Sequence, residues 1–510
     1  MNDSSIRRKK LFLNTSSSII SQVATIICGF VLPRLILNHF GSEVNGLVNS
    51  ITQFLSIIAF LELGIGSVLQ FSLYKPLAEK NEEEISKVLV SGQKFFTKIA
   101  LILLVYVLFL MGVYPLIANQ NFGFVYTATM IGAISISSFA QYFFGISNML
   151  LLQADQKGYV PYNVQTFALI LNTIVGSVLI ELGASIHLVK LSTSLIFVLK
   201  PLILALYVKK HYHINWKIKY EGEPLKQKWN GMAQQISDVA LENTDNVVLT
   251  VFAGLKEVSI YSVYYLVISG IKYLLLSITI GMQSLMGELW AKQELEVLRR
   301  FFGWVEWVMH TAATFLFGAT SVLILPFVIV YTNGVTDVDY VQPLFALLIV
   351  AANAVYCFRL PYHLMVLAGG HYKQTQHSCI IAMIMNIVIS VLAVRFWGLV
   401  GVAIGTLIAM LYQTIWLAAY NSRNFIEWPF KNFIKQMAVD FTTVVVLHVL
   451  VNLPRFRSFF TMYEATYAAW ILLAVKVSVL AGGIVLVMNL CFYRGYVARL
   501  VKGITSRIRK

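Results

Sequence analysis

Three carboxylates lie close together in a segment that is long enough to cross a lipid bilayer. The segment is QISDVALENTDNVVLTVFAG, residues 235–254, and its acids are Asp238, Glu242 and Asp245. Their spacing of four and three residues places them on one face of a helix. Each ionised carboxylate at mid-depth costs about 2.5–3.5 kcal/mol or more. We therefore expect that face to point inward, towards water or cationic partners.

Carboxylates in such a place could couple transport to an ion. Like charges at this spacing repel, so the acids are either paired with cations or at least one of them binds a proton. Glu242, between two other acids, is the best proton-binding residue on this argument. The candidate ion-coupling residues, for H⁺ or Na⁺, are Asp238, Glu242, Asp245 and Glu62, the last from FLELGIG. The alternative is that these acids form buried ion pairs that only hold the helices in register.

Basic residues are predicted inside the membrane as well. Lys272 and Arg359 are expected at a depth similar to that of the acids, and Arg34 in VLPRLIL nearer the outer end of the first span. A diphosphate group needs cations or helix N-termini, whereas a cationic drug needs carboxylates. Arg34, Lys272 and Arg359 are therefore the candidate substrate-binding residues. With Lys200 they make four cations against four acids, so the count leaves both kinds of substrate open.

These charges need a scaffold of membrane-spanning helices. Of the 510 residues 58% are hydrophobic and only 12% are charged, and the mean hydropathy is +0.73. Such a composition is typical of a bundle of spanning helices. Windows of about 20 apolar residues predict an all-α integral membrane protein with fourteen spans. Their approximate limits are 14–39, 46–74, 94–118, 124–152, 160–183, 185–208, 231–253, 257–284, 302–331, 341–368, 374–396, 399–421, 434–453 and 467–490.

The basic residues also predict the orientation. With a cytoplasmic N-terminus, 29 of the 39 Lys and Arg residues fall in inner loops and tails. This asymmetry obeys the positive-inside rule and predicts that both termini are cytoplasmic. The net charge of +15 then reflects topology and not nucleic-acid binding. The basic tail from Arg494 to Lys510 is expected to lie on anionic headgroups.

The chain also repeats itself at an offset of 213–216 residues. The matched positions are Gly41 with Gly254, Leu73 with Leu289, Tyr159 with Tyr372, and Gly183 with Gly398. An offset of six spans predicts parallel halves that are related by an axis along the membrane normal. The predicted domains are 1–208 (spans 1–6), a cytoplasmic linker 209–229, 230–425 (spans 7–12), and 426–510 (spans 13–14 and the basic tail).

Several stretches resemble bacterial polysaccharide flippases of the Wzx type, in the multidrug/oligosaccharidyl-lipid/polysaccharide exporter superfamily. They are ENTDNVVLTVFAGLKEVSIYSVYYLV, VYTNGVTDVDYVQPLFALL, RLPYHLMVLAGGHYKQTQ and GLVGVAIGTLIAMLYQT. The resemblance covers most of residues 10–425. It implies two six-helix bundles around a central cavity, plus two extra helices. It also implies movement of an undecaprenyl-diphosphate-linked oligosaccharide across the bacterial cytoplasmic membrane, with the bilayer and polysaccharide-assembly proteins as partners and no cofactor.

Two other functions stay open at this stage. One is a cation-coupled multidrug exporter with the same fold, and the other is a membrane-bound glycan polymerase or transferase. An enzyme is disfavoured because no P-loop pattern occurs and the longest predicted outer loop, about residues 454–466, is short. The acid pair Asp337 and Asp339 is predicted to lie outside, away from cytoplasmic nucleotide sugars. The four cysteines lack the spacing of a metal site or a disulfide framework.

The predicted orientation can be tested by cysteine labelling in intact cells. In a variant without the four native cysteines, Asp337→Cys should react with a membrane-impermeant maleimide, because residues 333–340 are expected outside. Tyr220→Cys, in the expected cytoplasmic linker, should react only after the cells are permeabilised. Strong labelling of Tyr220→Cys in intact cells would reverse the orientation.

Overall fold

A computed structural model describes residues 3–117, 122–219 and 232–500 of the chain. In these ranges the regular secondary structure is entirely helical. A 3-10 turn (Ile57–Ala59) precedes α2, and a π-helical turn (Gln141–Gly145) joins α4 to α5. The helices are α1 (Asp3–Ser56), α2 (Phe60–Glu79), α3 (Glu82–Ile117), α4 (Phe124–Ala140), α5 (Ile146–Ala154), α6 (Tyr159–Glu181), α7 (Ile186–His211), α8 (Met232–Phe252), α9 (Leu255–Ala291), α10 (Leu295–Tyr331), α11 (Pro343–Gly369), α12 (Tyr372–Asn424), α13 (Phe430–Asn452), α14 (Pro454–Arg457) and α15 (Tyr467–Phe492).

The predicted fold class, an all-α membrane protein, is confirmed. Within the described residues, eleven helical segments are long and apolar enough to cross a membrane. Two of them, Phe12–Ser56 and Lys373–Asn424, are 45 and 52 residues long and contain a break. Within the described residues, each of the fourteen predicted spans overlaps helix once these segments are divided and α2 and α8 are added. Helices suit this environment because every backbone group finds its partner within the segment.

The two long helices break at glycines that have left-handed backbone angles. Gly41 in α1 has φ 80°, and Gly398 in α12 has φ 51°. A side chain would strain either position, whereas glycine adopts these angles readily. Residues with positive φ recur at the same offset as the sequence repeat. The pairs are Gly41 with Gly254, Lys80 with Gln293, Gln156 with Gly370, and Gly183 with Gly398, each 213–215 residues apart. The chain therefore turns at equivalent positions in both copies, which supports the internal repeat.

The chain packs as two compact units, Met1–Ser259 and Ile260–Lys510. These units are defined by packing, whereas the domain limits proposed above follow the repeat and stay a prediction. In the first unit, α1 packs against α6, and α4 packs against α3 and α7 around one apolar core. Helix α8 packs against α1 and α2.

Polar contacts hold α8 and the start of α9 to α1. Ser50 and Thr250 place their hydroxyl oxygens 2.6 Å apart, and the Tyr114 hydroxyl donates to Ser50 at 2.7 Å. The Asn45 amide donates to the Ser259 hydroxyl at 2.8 Å. These groups are buried, so their mutual hydrogen bonds offset the cost of removing them from water. Hydrogen bonds thus specify how α8 is seated in the first unit.

A charged cluster joins the loop after α5 to the end of α7, outside the spanning segments. Asp155 accepts from the Lys157 ammonium at 2.8 Å and from the Tyr212 hydroxyl at 2.5 Å, and Lys10 Nζ lies 3.7 Å away. Burial by itself would raise the pKa of Asp155, but these hydrogen bonds and the two lysine charges outweigh it and lower the pKa. The ionised carboxylate therefore stabilises this end of the first unit at neutral pH.

In the second unit, α10, α11 and α12 form the centre. Helices α13 and α15 pack on α10 and on each other, and they bury a separate small cluster of apolar side chains. The start of α11 is joined to α9 through Tyr264, whose hydroxyl donates to the Tyr340 carbonyl at 2.7 Å and accepts from the Gln342 amide at 3.0 Å. These contacts join α9, which carries Lys272, to the start of α11, which carries Arg359.

Candidate functional site

The acidic helix α8 holds its described carboxylates in different surroundings. Glu242 is exposed, whereas Asp245 is only 2% exposed. Burial therefore acts on Asp245 and not on Glu242. The ion-coupling role of both acids stays a prediction. The side chains of Asp238 and Glu62 lie outside the described part of the chain.

Two of the predicted substrate-binding residues share one aromatic ring. Lys272 Nζ lies 4.0 Å from the ring centroid of Tyr356, and the Arg359 guanidinium carbon lies 4.6 Å from the same centroid. Lys272 is 3% exposed and Arg359 is 1% exposed. A cation within about 6 Å of a ring centroid is attracted by the ring quadrupole, and more strongly where water is excluded. The structure therefore brings Lys272 and Arg359 together at one ring, and their substrate-binding role stays a prediction.

A third helix supports this cation pair. The Arg359 guanidinium donates to the side-chain oxygen of Gln413 on α12. The amide nitrogen of Gln413 lies 3.2 Å from the Cys379 sulfur, also on α12. We call Lys272, Tyr356, Arg359 and Gln413 the cation cluster. Its members come from α9, α11 and α12, and all of them belong to the second unit.

Sequence reasoning missed Tyr356 and Gln413. Tyr356 precedes Arg359 by three residues, a spacing that puts both side chains on one helix face, so this signal was present. Gln413 is 54 residues from Arg359, and nothing in the sequence links the two. Arg34, the third predicted substrate-binding residue, is partly buried in α1 of the first unit.

A second buried polar network lies between α10, α11 and α13. The Tyr362 hydroxyl donates to Glu306 Oε1 at 2.5 Å, and Trp428 Nε1 donates to Glu306 Oε2 at 3.0 Å. One turn further along α10, His310 Nδ1 lies 2.6 Å from Asp440 Oδ2. Glu306, His310 and Asp440 are all at most 4% exposed.

This network was absent from the sequence analysis, although α10 shows Glu306 and His310 four residues apart. The missing element was Asp440, which belongs to the thirteenth predicted span, outside the repeat. Among the described residues, no three His, Cys, Asp or Glu side chains are arranged to hold a metal ion. The geometry therefore suits hydrogen bonding that fixes α13 against α10.

Comparison with solved structures identifies the fold. The chain matches "Lipid II flippase MurJ, inward closed conformation" with a TM-score of 0.69 at 17% identity, over 95% of this chain and 100% of that one. It matches an inward-facing multidrug resistance MATE family transporter of the MOP superfamily with a TM-score of 0.63 at 15% identity, over 79% of this chain and 96% of that one. A mutant of the Vibrio cholerae MATE transporter VcmN gives 0.58 at 14% identity, over 82% and 97%.

This chain has the MOP-superfamily fold. The superfamily is the multidrug/oligosaccharidyl-lipid/polysaccharide exporter group that the sequence resembles, so the resemblance is confirmed at the level of the fold. The three structures named are a flippase and two transporters, and none is an enzyme. No family model matches the sequence, and no curated protein matches it either.

The Glu306–His310–Asp440 network is expected to contribute to the stability of the folded protein. Asp440→Ala should lower the thermal unfolding temperature in detergent, because it leaves a buried His310 nitrogen without its acceptor at a cost of about 1–3 kcal/mol. Asp440→Asn should lose less, since its amide oxygen still accepts from His310. Thr442→Ala, an exposed change on the same helix, is the control and should leave the midpoint unchanged. Equal midpoints for Asp440→Ala and Thr442→Ala would rule out a stabilising role for the network.

Proposed function

We propose that this protein is a flippase for undecaprenyl-diphosphate-linked oligosaccharide, which it moves from the inner to the outer leaflet of the bacterial cytoplasmic membrane by alternating access. The observation that carries the proposal is the cation cluster, in which two buried basic residues share the ring of Tyr356. A diphosphate would bind there through charge-assisted hydrogen bonds from the ammonium and the guanidinium. The lipid tail can stay in the bilayer while the polar part crosses in water, which avoids the cost of bare polar groups in hydrocarbon.

The arrangement of the cluster suits an anion better than a cation. A diphosphate carries the opposite charge to both basic groups, so each of them would attract it. The guanidinium is planar and always charged, and its fork of donors matches phosphate oxygens. Tyr356 and Gln413 hold the two cations in place, so little side-chain entropy is lost when a ligand binds.

The extent of the structural match is a second support. The lipid II flippase aligns with 95% of this chain, whereas the two MATE transporters align with about four-fifths of it. A lipid-linked glycan is therefore the substrate class that the overlap favours. This proposal also includes two partners of the protein, which are the bilayer and the proteins that assemble the polysaccharide.

Ion coupling is proposed for the acids of α8. Glu242 is accessible and Asp245 is buried. A proton or Na⁺ could therefore reach Glu242 directly, whereas Asp245 is enclosed by its neighbours. An ion that binds one state better than the other gives the differential affinity that alternating access requires. The side chains of Asp238 and Glu62 enter this proposal from their sequence positions alone.

The main alternative is a cation-coupled multidrug exporter, favoured by the MATE neighbours and by the accessible carboxylate on α8. A membrane-bound glycan polymerase or transferase is the third candidate. Deleting the gene discriminates among them. A lipid-linked glycan that accumulates on the inner leaflet supports the flippase, whereas drug sensitivity with normal glycan export supports the exporter. Purified protein that joins glycan units would establish the enzyme.

Removing the basic groups should impair export. Lys272→Ala and Arg359→Ala should each reduce surface glycan about tenfold or more, because the diphosphate loses a charge-assisted partner worth about 1.5–3 kcal/mol. Tyr356→Leu should impair export through the loss of the ring, and Tyr356→Phe should retain most of it. Arg34→Ala should have a weaker effect. Membrane levels of each variant are checked by immunoblotting, and normal export in the Lys272/Arg359 double variant would exclude this cluster as the headgroup site.

A carboxylate on α8 should control the response to pH. Glu242→Gln keeps the shape and hydrogen bonding of the side chain but cannot titrate. We expect it to abolish ion-dependent transport in proteoliposomes while substrate binding persists. Asp238→Asn and Asp245→Asn are the matched variants. Normal transport with an unchanged pH profile in all three would show that the acids are structural.

A further inference from the structure

A cavity of about 650 Å³ lies in the second unit, at the ends of α10, α13 and α15. It is separate from the cation cluster, none of whose residues lines it. Five basic residues line the cavity, and they come from all three of these places in the fold: Arg299, Arg300, Lys435, Arg494 and Arg499. Among the described residues, Glu306 is the single acid in the lining. We propose that this cavity binds the phosphate-bearing headgroup of an anionic membrane phospholipid.

Most of the basic residues that line the cavity form no ion pair with a described carboxylate. Arg299 lies 3.8 Å from the Glu427 carboxylate and also donates to the Glu427 carbonyl at 2.8 Å. Arg300, Lys435, Arg494 and Arg499 have no ion pair with any acid among the described residues. Glu306, at 3% exposed, accepts from Tyr362 and Trp428. Lys435 and Arg300 each donate to a backbone carbonyl, of Phe492 and Glu296. In the part of the chain that the structure describes, the cavity therefore presents four cations that are not paired with a carboxylate, which suits an anion with several acceptor oxygens.

Aromatic side chains give the cavity a fixed wall. The rings of Trp307 and Tyr496 stack with centroids 5.4 Å apart, and Lys435 Nζ lies 4.6 Å from the Tyr493 ring centroid. At residue 303 a glycine lets Trp428 and Tyr496 approach α10, since a Cβ there would lie 2.5 Å from Trp428 and 2.7 Å from Tyr496. A wall packed this closely is pre-organised, so little side-chain entropy is lost when a ligand binds.

The depth of the cavity selects a lipid over a soluble anion. Helix α10 has 37 residues, which makes it about 55 Å long, whereas the hydrocarbon core is about 30 Å thick. The helix must therefore extend beyond the hydrocarbon core, and Arg299 and Arg300 lie in its first two turns. The cavity also lies at the end of the helices that the positive-inside rule assigns to the cytoplasm, where anionic lipids attract basic residues.

Native Cys491 provides a reporter inside the cavity, because it lines the cavity and is exposed. In the full chain with Cys28→Ser, purified in neutral detergent, phosphatidylglycerol should slow maleimide labelling of Cys491 about tenfold, the factor that about 1.4 kcal/mol of binding free energy supplies. Phosphatidylcholine with the same acyl chains should not. Native mass spectrometry counts the lipids retained in the same samples.

Three double variants separate the site from general charge effects. Arg494→Gln with Arg499→Gln should abolish the protection, and Arg494→Lys with Arg499→Lys should keep most of it. Arg455→Gln with Arg457→Gln removes the same charge from the exposed helix α14 and should leave protection unchanged. The proposal would be overturned if the α14 double variant lost as much protection of Cys491 as the Arg494/Arg499 glutamine variant does. Protection by sn-glycerol 3-phosphate as strong as that by the lipid would also overturn it, and would assign the cavity to a soluble phosphate. Transport is not measured, so the result is independent of the proposed flippase activity.

Discussion

The cost of burying an ionised side chain among apolar helices governs where this protein places its charges. A lone charge in such a setting is expensive, and it persists only with a partner that compensates for the lost water. Lys272 and Arg359 meet this cost partly through the face of Tyr356, and Arg359 also through Gln413. Glu306 meets it through two neutral donors, and Asp440 through His310. Every one of these solutions requires side chains from two or more helices.

The same cost separates two kinds of buried charge in the second unit. In the Glu306–His310–Asp440 network, Glu306 accepts from Tyr362 and Trp428, and His310 Nδ1 pairs with Asp440, which fixes α13 to α10. The cation cluster instead gathers two groups of the same sign at one ring. Two basic groups held beside one ring suit a ligand of the opposite sign, which is why the cluster is the stronger candidate for binding.

The backbone obeys a related constraint. A chain that turns between two spans must leave the helix, and glycine makes this possible at Gly41 and Gly398 within otherwise continuous helices. The recurrence of left-handed residues 213–215 positions apart shows that both copies of the repeat solve the turn in the same way. Helices α13 and α15 have no counterpart in the repeat. Together with the start of α10 they line the basic cavity at one end of the second unit, which we propose as a site for a lipid headgroup.

The sequence by itself determined the membrane character, the helical class and nearly every span. These follow from local composition, because a run of about 20 apolar residues has few alternatives to a spanning helix. It also indicated the repeat and the similar membrane depth of Lys272 and Arg359. Only the tertiary structure decided that Glu242 is exposed while Asp245 is buried, since a periodic pattern gives a face but not what covers it. It likewise decided the pairing of Arg359 with Gln413 and of His310 with Asp440. These partners lie 54 and 130 residues apart in the sequence. Their contact therefore depends on how the helices pack and not on any local pattern.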